Sequence, residues 1–170
     1  MLSKKMEKAF NDQIKWEYYS AYLYLSLSAY FQGLGLPGFA NWMEVQTQEE
    51  LFHGTKMFRY VNEKGGRIQL QAIDAPQHTW KSPLEAFQFA LNHEYAVTKR
   101  INDLVDLAQK EKDHASAIFL QWFVTEQVEE EANFGDTVNK LKLVGDGGGL
   151  FMLDRELAAR VYTPPAATAA

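Results

Sequence analysis

The sequence predicts an all-α protein: an up-down four-helix bundle with one long crossover and a short fifth helix. Three observations predict it. Four long stretches carry apolar residues at alternating steps of three and four, the period of a helix with one buried face. Glycine and proline separate the first three of those stretches, and Asp113, a plausible N-cap, marks the start of the fourth. Two of the separations are a few residues long, which makes antiparallel neighbours, and one is long enough to run the length of the bundle.

The first helix is expected from about 4 to 32, stopping at Gly33-Leu34-Gly35. The second opens at Pro37, a favourable first-turn residue, and ends at Gly65-Gly66. Segment 65–81 holds glycine, proline and Trp80 and is read as the crossover. About 27 residues of helix span roughly 40 Å, and about 17 extended residues reach roughly 55 Å, so the crossover is long enough. The third helix opens on Ser82-Pro83-Leu84-Glu85, a capping box with Ser82 as N-cap and Glu85 at the third helical position. The fourth opens near Asp113 and ends before Gly145, with Gly135 inside it costing about 1 kcal/mol against Ala. A fifth helix is expected at about 150–160, after Asp146-Gly147-Gly148-Gly149. Residues 1–161 are read as one domain and 162–170, ending in TPPAATAA, as a flexible tail.

Composition narrows the function. With 170 residues the chain can bury a core without disulfides. It has no Cys, which excludes thiolate zinc, cysteine-held iron–sulfur clusters and a rubredoxin-type module. The net charge of −5 offers no basic stripe, so nucleic acid is not an expected partner and cations are. No apolar run is long enough to span a membrane. The lysines of the first residues are not followed by an apolar segment of the secretory kind. A cytoplasmic location is expected.

The buried seams can be read off the period. Helix one gives Phe10, Ile14, Glu17, Ala21, Tyr24, Ser28 and Phe31. Helix two gives Phe39, Met43, Gln46, Glu50, His53, Met57 and Tyr60. Helix three gives Leu84, Phe87, Leu91, Glu94, Thr98, Ile101 and Val105, and helix four gives Leu120, Phe123, Gln127, Glu130, Phe134, Thr137 and Leu141. Glu17, Glu50, His53, Glu94, Gln127 and Glu130 each interrupt a seam near the middle of its helix. Midpoints share one level in a bundle whichever way each helix runs, so these six are expected to converge. The pattern is also an imperfect repeat. A shift of 77 residues maps Glu17 onto Glu94, Glu50 onto Gln127 and His53 onto Glu130.

Four buried carboxylates cannot all stay ionised unaided, because each loses its hydration and each raises the pKa of the others. Two divalent cations would balance them. Carboxylate and imidazole ligands suit iron or manganese, and zinc fits as well. Glu50 and His53 lie on one helix face, so Glu50 is placed to bridge. One site is expected from Glu17, His53 and Glu50, the other from Glu94, Glu130 and Glu50, with Gln127 as a neutral hydrogen-bonder or weak ligand. The two sites should differ in affinity. Glu49, Glu126 and Glu129 flank this set and form either a third, more exposed cation site or a solvated acidic face. Tyr24, two turns beyond Glu17, is either a core aromatic or a phenol that hydrogen-bonds a ligand or donates an electron; Trp122 is a weaker candidate for the latter. Trp16, Tyr19, Leu23 and Leu27 lie off the seam and are read as a subunit interface. His78, His93 and His114 are read as surface histidines.

These residues carry a resemblance to the bacterial non-haem ferritins. It runs through KWEYYSAYLYL around Glu17, QEELFHGTKMFRY around Glu50 and His53, LNHEY around Glu94, and FLQWFVTEQVEEE around Glu126–Glu130. A single E-x-x-H is a weak signal; the ordered set E, E-x-x-H, E, Q-x-x-E on helices of this length is a specific one. The resemblance implies a ferritin-like bundle that oxidises Fe(II) at a dinuclear ferroxidase centre with dioxygen or hydrogen peroxide. It also implies a hollow homo-oligomeric shell of 24 subunits that stores hydrous ferric oxide, its four-fold axis lined by the short helix after Gly149. Glu17, Glu50, His53, Glu94 and Glu130 match the family's ferroxidase ligands, with Gln127 beside them. Glu49, Glu126 and Glu129, with Glu130, match its third iron site, and Tyr24 matches the tyrosine beside the centre. Bacterioferritins, which are related, carry a second E-x-x-H and a haem-binding Met directly after the first Glu. Gln127-x-x-Glu130 and Leu51 depart from both features and favour the non-haem branch. Two other readings share parts of the pattern: a di-metal redox enzyme that needs no storage cavity, and a helical assembly that binds no metal.

Overall fold

In the computed structural model the described residues are 2–145 and 147–164. They form five helices: α1 (Lys4–Gly33), α2 (Pro37–Glu63), α3 (Pro83–Lys110), α4 (His114–Val144) and α5 (Gly148–Leu157). There is no strand among the described residues, and no helix is long and apolar enough to cross a membrane. Most of the expected tail, 165–170, lies outside the described residues.

Side chains fix where three of the helices begin. Ser3 accepts the N–H of Met6, Ser82 that of Glu85, and Asp113 that of Ser116. The Glu85 carboxylate in turn accepts the Lys81 N–H at 2.5 Å, which closes the expected box one residue early. α2 begins on Pro37 and has no cap from its own sequence. Asp154 of α5 supplies one instead, accepting the N–H groups of Gly38 and Phe39 at 2.8 and 3.0 Å. Only glycine fits at position 38, since a Cβ there would lie 1.7 Å from the Asp154 carbonyl oxygen. α5 is therefore locked onto the start of α2. It ends at Leu157, three residues short of the expected boundary, and the chain continues past Arg160 without helix.

The topology follows from which ends meet. Ser3 hydrogen-bonds Glu111, and Lys64 pairs with Asp113 at 3.6 Å. The starts of α1 and α4 and the ends of α2 and α3 thus share one end of the bundle. α2 and α3 run the same way, and the crossover makes that possible by returning alongside α1. Arg67 N–H donates to Glu7 at 2.9 Å, Gln69 N–H to Asn11 at 2.7 Å, and Ser26 to the Gln77 carbonyl at 2.8 Å. Trp80 closes the path against Tyr30, with ring centroids 5.1 Å apart.

Two apolar clusters fill the bundle. One holds Phe31, Phe39, Met43, Phe87, Phe134 and Leu141; the other holds Phe10, Ile14, Met57, Ile101, Leu120 and Phe123. Full burial of each such side chain stabilises by about 1.5–3 kcal/mol. Between the clusters lies the polar layer, which they shield from water at both ends. Two expectations change. Leu23 and Leu27 are fully buried in the first cluster and are not interface residues. α1 packs on α2 and α3 and lies under the crossover, so its apolar face is wider than one seam; the large exposed apolar residues of α1 are Tyr22 and Leu25. On α3 the buried stripe runs through Phe87, Ala90, Glu94, Val97, Ile101 and Leu104, while Leu84, Leu91 and Thr98 sit at its margin. Phe87, Glu94, Ile101 and Val105 keep their expected places on the buried face, while the 3.6-residue period turns Leu91 and Thr98 off it in favour of Ala90 and Val97.

Candidate metal centre

All six residues expected in the central layer are buried, none more than 5% exposed. Glu17 comes from α1, Glu50 and His53 from α2, Glu94 from α3, and Gln127 and Glu130 from α4. In the α1–α2 half, one ligand atom each of Glu17, Glu50 and His53 lies within 4.8 Å of the others. The His53 Nδ1 atom is 3.5 Å from Glu50 Oε2 and 3.9 Å from Glu17 Oε2. Gln13, one turn before Glu17, donates to Glu17 Oε1 at 2.9 Å. Glu50 Oε2 is fully buried and accepts no hydrogen bond.

The α3–α4 half is arranged differently. Glu94 accepts from the Tyr24 hydroxyl and from Gln127 Nε2, the latter at 3.1 Å. Glu130 Oε2 accepts from Gln46 Nε2 at 2.7 Å. Each carboxylate in this half is turned to a neutral donor, and the two form no ligand group with Glu50 among the described residues. Glu130 instead groups with His53 and Glu126, all within 4.8 Å, and His53 Nε2 is 3.9 Å from Glu126 Oε1. His53 therefore faces two carboxylate groups, one through each ring nitrogen.

The flanking acids are not brought together as one set. Glu126 is half-buried beside His53, and Glu129 is exposed. Glu49 is half-buried, and its Oε2 accepts from Arg160 at 2.6 Å. Trp122 packs edge-on against His53, with centroids 5.4 Å apart. His93 is not a surface histidine: its Nε2 lies 2.8 Å from Ser20 Oγ, and it sits between Tyr19 and Tyr24. Its place one residue before Glu94 turns it toward α1.

Burial governs the protonation states. It pushes Glu50 well above the usual carboxylate range, and His53 only partly offsets it. Glu94 is pushed up to about 7 by burial, against the hydrogen bonds from Tyr24 and Gln127. Glu130 is pushed up to about 8 by burial and by the charge of Glu94. For His53, burial alone would lower the pKa, but Glu126, Glu50 and Glu17 outweigh it and hold the ring well above its ordinary value. Burial and the Glu94 charge raise the Tyr24 phenol far above 10, so at any ordinary pH it is a hydrogen-bond donor. Burial also raises Glu49, with Arg160 opposing. Without metal the layer thus holds protons that it must release to bind cations.

The donor set fits divalent metal ions. A buried carboxyl oxygen with no partner is costly, and Glu50 Oε2 faces the imidazole nitrogen and the second carboxylate that would complete a ligand set. Oxygen plus imidazole nitrogen, without sulfur, suits iron, manganese or zinc.

Fold and site together define a class: a helical bundle with carboxylates from all four helices and one imidazole gathered at its middle level. Comparison with known proteins identifies the family. The ferritin family, described as a ferritin-like domain, matches residues 7–144, and the chain belongs to it. It is 40% identical to a bacterial non-heme ferritin of Staphylococcus aureus (strain USA300) over 163 residues, covering 95% of this chain and 98% of that protein. A bacterial non-heme ferritin of Staphylococcus haemolyticus is 42% identical over the same length and coverage. Among solved structures, an open-pore ferritin of the archaeon Archaeoglobus fulgidus is 54% identical with a TM-score of 0.93, covering 95% of this chain and all of that one. An engineered closed form of the Archaeoglobus fulgidus ferritin aligns with a TM-score of 0.95, at 54% identity over 96% of this chain. Family and fold support iron storage, and the carboxylate and histidine groups are candidates for holding the metal.

Sequence reasoning did not single out Gln13, Gln46 or Arg160. The glutamines had a signal. Each stands four residues before a buried glutamate, on the same helix face, and Gln46 was on the seam. Arg160 had none, since it reaches the layer from more than 100 residues away in the chain.

Proposed function

We propose that the chain is an iron-storage ferritin with ferroxidase activity. Two Fe(II) ions are the substrates. Glu17, Glu50 and His53 hold one, and Glu94, Glu130 and Glu50 hold the other, with Gln127 as a hydrogen-bonding neighbour. One electron leaves each Fe(II), and the pair reduces dioxygen to hydrogen peroxide with uptake of two protons; hydrogen peroxide can replace dioxygen as oxidant. The Fe(III) product then moves to a hydrous ferric oxide store inside a homo-oligomeric shell, in the proportions of a 24-mer, in the cytoplasm. Glu49, Glu126 and Glu129, with Glu130, form an outer cation site along the way.

The roles of the residues follow from their surroundings. The two apolar clusters exclude water from the ends of the layer and so strengthen every charge interaction in it. Gln13 and Gln46 orient Glu17 and Glu130, as outer hydrogen bonds orient metal ligands generally. Tyr24 keeps its proton and fixes Glu94. The protons held by Glu50, His53, Glu94 and Glu130 leave as iron binds.

The observation that carries this reading is the unpartnered Glu50 Oε2 beside His53 Nδ1 in a buried layer. The test is Glu50→Ala and His53→Ala, mixed with Fe(II) in air. Oxidation in either variant as fast as in the unaltered protein would contradict the assignment. Particle size tests the storage part: a stable monomer or dimer would point to a turnover enzyme, and a particle of roughly half a megadalton, about 24 domain-sized chains, to storage.

A further inference from the structure

Arg160 lies three residues beyond the end of α5, yet its guanidinium reaches the edge of the central layer. It stacks over the Trp42 ring at 4.1 Å. From Nη1 it donates to Gln46 Oε1 at 2.9 Å, and from Nη2 to Glu49 Oε2 at 2.6 Å. Gln46 passes the contact on, donating to Glu130 Oε2 at 2.7 Å. The backbone around it is pinned, since Asn41 Nδ2 donates to the Arg160 carbonyl at 2.9 Å and Asp154 caps α2. A permanently charged group is thus delivered by the C-terminal arm to the carboxylates that border the inner layer.

We propose that Arg160 is the resident cation of the outer carboxylate group of Glu49, Glu126 and Glu130, and that a divalent metal ion bound there takes its place on Glu49. This deepens the metal-centre reading above and rests on it. Among the described residues Glu126 and Glu130 already group with His53, whereas Glu49 is outside that group and its Oε2 accepts from Arg160. The guanidinium and a metal ion want the same carboxylate, and their charges repel across a partly buried space. A planar fork that never loses its charge is a persistent competitor. Displacement has a second effect. When Arg160 leaves Gln46 Oε1, the Gln46 amide is free to turn, and Glu130 is released from its hydrogen bond to become a ligand. Arrival of an outer ion would thereby ready the inner one. The outer site is consequently weak and suited to transit, not to retention.

The experiment uses Zn(II), which is redox-inert, with the intact assembled protein. Calorimetric titration compares the unaltered chain with Arg160→Gln and Arg160→Lys. The account expects the outer Zn(II) to bind at least ~10-fold tighter in Arg160→Gln, the size of effect typical of residues next to metal ligands, with binding at Glu17, Glu50 and His53 unchanged. Arg160→Lys, which keeps the charge, should stay close to the unaltered chain. Outer binding that is unchanged or weaker in Arg160→Gln overturns the proposal. A second measurement does not depend on that variant folding. Filling the outer site of the unaltered protein with Zn(II) should shift its tryptophan emission as the guanidinium leaves Trp42, and Trp42→Phe should abolish the shift. Emission that ignores the outer ion overturns displacement. Failure of all three chains to bind any Zn(II) at Glu17, Glu50 and His53 would sink the metal-centre reading itself and this inference with it. Inner binding with an indifferent Arg160 would sink this inference alone.

Discussion

The two halves of the central layer are built from matching positions in an imperfect repeat, and they are held in opposite ways. In the α1–α2 half, Glu50 has a bare oxygen facing His53 and Glu17. In the α3–α4 half, Glu94 and Glu130 each rest on neutral donors: Tyr24, Gln127 and Gln46. Part of the difference traces to two residues. Where the first half has Glu50 and His53, the second has Gln127 and Glu130. Glutamine can satisfy a buried carboxyl without metal, while a glutamate beside an imidazole cannot satisfy a second glutamate as well. The first half is therefore poised for a cation and the second is stable until one arrives. On the proposed function, that asymmetry makes the two metal affinities unequal.

The largest effect should come from breaking the poised half. Glu50→Ala or His53→Ala is expected to slow Fe(II) oxidation by more than about 100-fold, since a lost ligand should cost more than the 10–100-fold typical of its outer partners. Stopped-flow absorbance after mixing with aerated Fe(II) measures it. A loss smaller than that caused by Gln127→Ala would reverse the assigned order of the halves.

The next effect is on pH. Glu94 at about 7 and Glu130 at about 8 stand above the ordinary carboxyl value of 4.5. An unfolded chain loses these protons near 4.5, whereas the folded one keeps them until 7–8. Unfolding is therefore favoured progressively as pH rises through that window, so these groups make the metal-free protein less stable at pH 8 than at pH 6. Metal affinity changes in the opposite sense and strengthens over the same window, with release of protons. Glu130→Gln should flatten the stability trend and raise the metal-free unfolding midpoint at pH 8, by roughly 2–4 °C for each kcal/mol released. Calorimetry at pH 6 and 8 tests this. A midpoint that responds to pH identically in both proteins would show that Glu130 is not the group responsible.

Smaller effects should come from the supports. Tyr24→Phe removes one donor to Glu94 and is expected to cost about 1 kcal/mol of stability. It should slow oxidation less than the Glu50 and His53 variants do. Equal slowing would mean that Tyr24 takes part in electron transfer directly. Asp154→Ala removes the cap that α5 lends to α2 and should cost about 1 kcal/mol. Its effect on metal binding should fall on the α3–α4 half alone, because that half is tied to the C-terminal arm through Gln46 and Arg160. A change confined to the Glu17–Glu50–His53 site would break that link.

Much of this was legible in the sequence. The 3-4 period located four helices, and the polar interruptions of that period marked the layer that separates the two apolar clusters. The short links and the long segment 65–81 gave the connectivity. What the period could not give was rotation about each helix axis: the α3 stripe drifted by about one residue, and Leu23 and Leu27 turned inward under contacts with α3 and the crossover. Contacts between distant segments were also illegible. Asp154 capping α2 and Arg160 holding Glu49 depend on where α5 docks, and no local spacing encodes that. Gln46 is the intermediate case. It was visible as a polar seam residue one turn before Glu50, but its role appears only when Glu130 is seen across the bundle.

The central claim is that one buried layer takes two metal ions of unequal affinity, the first between Glu17, Glu50 and His53. Anomalous diffraction at the iron edge, from crystals soaked anaerobically in Fe(II) at increasing concentration, tests it most directly. The account predicts a first peak among those three residues, then, at higher iron, a peak beside Glu94 and Glu130 together with a weaker outer peak at Glu126. No anomalous peak in the layer, or a second-half peak that fills first, would contradict it.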